Sequence, residues 1–161
     1  MAAERELRAS CETLEAIGDR GYLSTAAADL AEALYAQGRY DEAELRIEIS
    51  KRATATEDVQ AQIGWRTVRA KVLARRGRLP EAEALAREAL ELAKVTDGIG
   101  MHAAVLRDLA EVLALAGRER EAAAARVEAL RLYEKKGAVA AVERVRASLA
   151  TARLPVRASR R

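Results

Sequence analysis

The sequence predicts an all-α fold in which antiparallel helix hairpins stack into a curved solenoid. Its 161 residues include 38 Ala and 19 Leu but no Phe, no Asn and only two Pro, a balance that favours helices and lacks turn-forming residues. Half of the residues are apolar, so the chain can bury a sizeable core. The third observation is a two-helix pattern that recurs about every 40 residues, as is typical of helical repeat proteins.

The repeating unit consists of a helix, a glycine corner and a second helix. Gly38, Gly77 and Gly117 each follow an apolar pattern of helical period, at the position where a left-handed residue commonly ends a helix. Pro80 fits the first turn of a following helix, where its missing N–H costs no hydrogen bond. Because one hairpin cannot bury its apolar face alone, we expect neighbouring hairpins to stack with a small rotation and to form a concave surface.

Two spacers separate the hairpins. The segment Thr54-Ala55-Thr56-Glu57 predicts a capping box that starts a helix, and Asp97-Gly98-Ile99-Gly100 predicts a turn. Eight helices are expected, at 3–17, 22–37, 40–54, 57–76, 80–95, 99–116, 119–135 and 138–152. We predict a single domain over 1–152, made of a half-repeat at 3–17, hairpins at 22–54, 57–95 and 99–135, and a capping helix at 138–152, followed by a disordered basic tail at 153–161.

Small residues recur where the two helices of a hairpin should approach each other. These residues are Ala31, Ala43, Ala70, Ala82, Ala110 and Ala122. Larger residues at a matching position, Leu34, Leu73 and Leu113, are predicted to fill the core.

The repeated positions resemble the signature of the tetratricopeptide repeat family over about residues 22–135. The first copy carries Leu30, Ala31, Leu34, Gly38, Tyr40, Ala43 and Ile47; the second carries Ala70, Leu73, Gly77, Ala82, Ala86 and Ala89; the third carries Leu109, Ala110, Leu113, Gly117, Ala122 and Ala129. The chain departs from the signature at Arg126, which replaces an aromatic residue. The resemblance implies a right-handed α-solenoid that binds a peptide or helix against the first helices of the hairpins, without catalysis.

The Ala- and Arg-rich composition is also similar to the C-terminal repeat arrays of bacterial signalling proteins that carry a nucleotide cyclase or a regulatory ATPase domain. This second resemblance implies a scaffold that regulates a larger signalling protein in the bacterial cytoplasm.

Corresponding positions of the three copies carry charges of alternating sign. They are Asp29 and Glu32, then Arg69 and Lys71, then Asp108 and Glu111. In one interpretation Glu32, Lys71 and Glu111 form a ladder of ion pairs between neighbouring helices. In the other they form the floor of a groove that binds a partner, and the candidate binding residues are then Glu32, Tyr35, Lys71, Arg75, Arg107 and Glu111.

The sequence disfavours an enzyme, a metal site and a cofactor. It contains one Cys and one His, too few for a disulfide, a zinc site or a catalytic triad. No apolar run reaches the roughly 18 residues of a membrane-spanning helix, so we expect a cytoplasmic protein with no membrane contact. The net charge of +3 arises from four arginines after residue 152. A helical repeat that binds nucleic acid is the alternative function, and phosphate contacts would make its affinity fall steeply with salt.

The two ends of the array differ. The first predicted helix looks like the second half of a hairpin, which leaves Leu7, Cys11 and Leu14 with one side uncovered. We expect either a further repeat or a second copy of the chain to pack there. At the other end, the last helix is predicted to form a polar cap, with Val142, Val145 and Leu149 facing inward and Glu143, Arg144 and Arg146 facing out.

Overall fold

The computed structural model describes residues 2–151, which form eight α-helices and no strand. The helices are α1 (Ala2–Ile17), α2 (Arg20–Ala36), α3 (Tyr40–Ala53), α4 (Val59–Arg75), α5 (Leu79–Lys94), α6 (Ile99–Leu115), α7 (Glu119–Lys136) and α8 (Val139–Thr151). The predicted all-α class and the eight helices are confirmed. The basic tail predicted at 153–161 lies outside the described residues.

The helices pack as an α-solenoid. Helices α2 and α3, α4 and α5, and α6 and α7 form three hairpins, and α1 and α8 pack against the two ends of this array. The first helix of each hairpin also contacts the first helix of the next, so α2, α4 and α6 lie side by side. These three helices therefore present one continuous surface to which each hairpin contributes.

The hairpin corners are equivalent. Gly38, Gly77 and Gly117 have φ values of 75°, 78° and 74°, in the left-handed region that glycine adopts without strain. At each corner the residue after the glycine donates its N–H to the carbonyl of the residue four positions before that glycine, which closes the last helical turn. Gly18 and Gly137 make the same left-handed corner after α1 and α7, two corners that were not among those predicted from the sequence.

The predicted capping box at residues 54–57 is wrong. Helix α4 begins at Val59, two residues after the predicted start at 57. Its N-cap is Asp58, whose Oδ1 accepts the N–H of Ala61 at 3.0 Å. Thr54 instead ends α3, where its hydroxyl donates to the Ser50 carbonyl at 2.7 Å. Asp58 prevails because it directly precedes the first helical residue, from which its carboxylate reaches the unpaired N–H groups of the first turn.

The core consists of small residues between helices and larger residues that fill the spaces around them. All six predicted alanines and the three predicted leucines are buried. One cluster extends from α1 to α4 and a second from α4 to α8, so α4 takes part in both. Val142 and Val145 are buried in the second cluster, as predicted for the inner face of α8.

Replacing Ala82 with Leu tests how closely the helices approach. Ala82 is fully buried at the start of α5, so three further heavy atoms have no space there. Overpacking should lower the free energy of unfolding by about 1 to 3 kcal/mol. Urea denaturation measures it, and Ala84→Leu on the same helix, at a site that is not buried, is the matched control. Equal unfolding midpoints for the two variants would contradict the packing described above.

Candidate functional site

Lys71 is the centre of a charged cluster on the surface formed by α2, α4 and α6. Its Nζ lies 2.6 Å from the carboxylate of Glu32 on α2 and 3.7 Å from that of Asp108 on α6. The side chain is buried, with a relative exposure of 2 %, and its Nζ lies 4.9 Å from the centre of the Tyr35 ring. One lysine therefore links three hairpins, and its burial makes each contact stronger than an ion pair on an open surface.

A second set of contacts lies one helical turn further along the same helices. The Tyr35 hydroxyl donates to the carboxylate of Glu111, and Arg75 Nε donates to the Tyr35 oxygen at 3.0 Å. Arg75 also bonds to Glu111 at 3.0 Å. Burial and the bond to Glu111 raise the pKa of Tyr35, so its hydroxyl remains protonated at neutral pH.

The predicted ladder is half correct. Lys71 pairs with Glu32 as predicted, but its partner on α6 is Asp108, and Glu111 bonds to Tyr35 and Arg75 instead. Asp108 and Glu111 are three positions apart and share one face of α6. Asp108 therefore lies beside Lys71, and Glu111 lies beside Arg75 one helical turn further along α4.

Arg107 also lies at the edge of this cluster, and its guanidinium bonds to the neighbouring Asp108 at 2.8 Å. Desolvation opposes the charge on Arg107, but attraction and hydrogen bonding from Asp108 outweigh it and raise the pKa of Arg107. All six candidate residues thus lie in one region that spans α2, α4 and α6.

Two candidate residues are not available as contacts for a partner. Lys71 and Tyr35, both candidate binding residues, are buried by their own chain. They hold the exposed residues of the surface in position through their contacts with Glu32, Arg75 and Glu111. Glu32, Arg75 and Arg107 have about two fifths of their side chains exposed, and Glu111 about a third.

Arg69, which shares the sign pattern with Lys71, faces away from the cluster. It pairs with Glu48 at 2.8 Å and Glu44 at 3.4 Å, both on α3. Most other arginines between residues 2 and 151 also lie beside a carboxylate. Their charges are thereby distributed in pairs over the surface.

A pocket of about 430 Å³ adjoins the cluster where α4, α6, α7 and α8 meet. Its polar lining consists of Arg75, Arg107, Glu111, Arg126, Tyr133, Arg144 and Ser148. No pattern in the sequence predicts this pocket. The one sign of it in the sequence is Arg126, a charged residue at a position where the tetratricopeptide repeat signature has an aromatic residue.

The N-terminal edge differs from the prediction at Cys11. This thiol is buried within the chain, because α1 packs against α2, and it is not exposed for an intermolecular contact. Leu7 and Leu14 remain partly buried beside it. Glu4 ties α1 to the Gly38 corner by accepting bonds from Arg39 and Gln37, and it also accepts a bond from Arg8 of its own helix. Together these bonds lower the pKa of Glu4 to about 2.

Within residues 2–151 no group of three or more His, Cys, Asp or Glu side chains has an arrangement that could hold a metal ion. None of the helices described is both long and apolar enough to cross a membrane.

Comparisons with known proteins agree with this architecture. Residues 64–135 and 23–45 match two family models of the tetratricopeptide repeat. Among solved structures, BtubC (BKLC) from P. vanneervenii superposes with a TM-score of 0.67 at 20 % sequence identity. The match covers 92 % of this chain and 65 % of that one, and at this identity it shows the fold alone. The search of curated proteins found no significant match.

Proposed function

Since this chain carries tetratricopeptide repeats, which generally mediate protein–protein interaction or scaffolding, we propose that it binds a peptide or helix of a partner on the surface of α2, α4 and α6. The observation that supports this site is the continuity of the charged cluster across all three helices. A surface to which each hairpin contributes is suited to an elongated ligand.

The charges on this surface indicate the chemistry of the partner. The exposed candidates carry both signs, acidic at Glu32 and Glu111 and basic at Arg75 and Arg107. A ligand of mixed charge would find partners for both signs, whereas a polyanion would meet repulsion from the two carboxylates. We therefore infer a peptide with acidic and basic side chains rather than nucleic acid.

The wider setting of the module is also a proposal. The sequence resemblance to bacterial signalling proteins supports a regulatory role within a larger cytoplasmic protein. The division of residues 1–152 into a half-repeat, three hairpins and a capping helix remains a prediction. A second copy of the chain would associate through Leu7 and Leu14 at the N-terminal edge. Analytical ultracentrifugation tests this, because the measured mass would then rise with protein concentration.

Peptide selection tests the proposed site. Peptides selected from a random display library should shift the amide NMR signals of α2, α4 and α6 when added to the labelled chain. Arg75→Gln should weaken binding about fivefold or more, because this side chain is partly exposed on the central helix of the surface.

Arg76→Gln is the matched control, since it makes the same charge change at the next residue, where the arginine instead pairs with Asp41. Its affinity should equal that of the unmodified chain. Shifts confined to α3, α5 and α7, or equal losses in the two variants, would place binding elsewhere and refute the proposal.

A further inference from the structure

The pocket beside the charged cluster has the size and lining of a small-molecule site. Its volume of about 430 Å³ is within the range of roughly 300 to 1,000 Å³ of ligand pockets. Ala114 and Leu115 of α6 and Ala141 and Val145 of α8 supply an apolar lining. Such a lining accepts a hydrocarbon or ring system and offers little to a fully hydrated inorganic ion.

Arg126 is the most unusual side chain in this lining. Only 12 % of it is exposed, yet its guanidinium makes no hydrogen bond to any residue between 2 and 151, and its Nη1 is buried without a partner. The nearest carboxylate, that of Glu119, lies 3.7 Å away, close enough for an ion pair but too long for a hydrogen bond, and its Oε2 is likewise buried without a partner. Arg126 also lines the pocket, and its Nε and Nη2, which are not fully buried and make no hydrogen bond to the described residues, can donate to a ligand with acceptor oxygens.

Two further donors line the same pocket. Arg144 on α8 forms no ion pair with the described residues. Tyr133 on α7 is buried, and its hydroxyl makes no hydrogen bond within that part of the chain. Burial raises the pKa of Tyr133, so this hydroxyl is a donor at neutral pH.

The remaining charges around the pocket largely cancel. Arg75 is paired with Glu111, and Arg107 is paired with Asp108. Of the other charges, Arg126 has the Glu119 carboxylate at 3.7 Å and Arg144 has no carboxylate beside it among the described residues, so the net charge on the side of the pocket formed by α7 and α8 is positive.

We propose that this pocket binds a small organic anion, whose carboxylate or phosphate is held by Arg126, Arg144 and Tyr133 while its apolar body lies against Ala141 and Val145. This site is separate from the peptide surface in its ligand and in most of its residues. It can therefore exist whether or not a peptide binds to α2, α4 and α6.

Isothermal titration of the full chain with three probes tests the proposal. We expect 2-naphthoate and 1-naphthyl phosphate to bind, and the neutral 2-naphthamide to bind at least about tenfold more weakly, because it lacks the charge-assisted hydrogen bonds. The stronger of the two anions identifies which anionic group the pocket prefers. Binding of the amide as tightly as the better of the two anions would overturn the proposal, as would the failure of both anions to bind.

Variants locate the site. Arg144→Gln should weaken binding of the better anion by about ten- to a hundredfold. Arg146→Gln makes the same change on the same helix, at an exposed residue outside the pocket, and should leave the affinity unchanged. Tyr133→Phe removes one hydroxyl that no described residue uses, so the protein should fold normally and bind the anion several-fold more weakly. Equal affinities of the Arg144 and Arg146 variants would exclude this pocket as the binding site.

Discussion

Reversing the charge of Lys71 is expected to lower the free energy of unfolding by about 3 to 5 kcal/mol, because a new carboxylate would be buried beside two others. In Lys71→Glu the added side chain would lie between Glu32 and Asp108, the carboxylates that the ammonium group now holds at 2.6 and 3.7 Å. Neither carboxylate would then have the ammonium group of α4 beside it. Urea denaturation followed by circular dichroism measures the loss.

The control for this prediction is Lys94→Glu on α5. Lys94 has half of its side chain exposed and, among residues 2–151, pairs only with Glu91, so its reversal should cost no more than about 1 kcal/mol. If Lys71→Glu and Lys94→Glu unfold at the same urea concentration, Lys71 is not the buried link described above. A loss of peptide binding with unchanged stability would instead favour the interpretation of Lys71 as a contact residue.

Truncating Leu34 to Ala should lower the free energy of unfolding by about 2 to 5 kcal/mol, through lost transfer energy and the cavity left behind. Leu34 is fully buried near the end of α2, in the cluster that extends from α1 to α4. Its backbone carbonyl accepts the bond that closes the Gly38 corner, and this bond persists in the variant because the carbonyl is unchanged.

Leu45→Ala removes the same atoms from α3, where 66 % of the residue is exposed, and should change stability by less than about 0.5 kcal/mol. Urea midpoints of the two variants at equal slope decide the comparison. A small effect at Leu34 would mean that the neighbouring helices collapse into the space.

The corners and the core could be predicted from the sequence because local chemistry determines them. A glycine after an apolar helical pattern has few alternatives to a left-handed corner, and the spacing of Gly38, Gly77 and Gly117 aligns the alanines and leucines between them. The start of α4 was missed because two capping signals lie within four residues. Which of them the helix uses depends on where α3 ends, and the sequence pattern does not specify that residue.

The partners of the charged residues were less predictable. Sequence spacing places Asp108 and Glu111 on the same face of α6, but the rotation of α6 against α4 decides which of them reaches Lys71. The pocket is a still longer-range feature, because Arg126, Tyr133 and Arg144 are brought together only by the packing of α8 against α7. No local pattern encodes that arrangement.

The contacts that run from Tyr35 to Glu111 and from Glu32 through Lys71 to Asp108 bridge up to 76 positions of the sequence. In a stack of repeats, stability is approximately the sum of what each repeat contributes and what each interface contributes, and these bonds add to the interfaces. Strong interfaces between modestly stable units make melting all-or-none. The array should therefore lose its structure in one transition, since the middle hairpin cannot open without breaking its bonds to both neighbours.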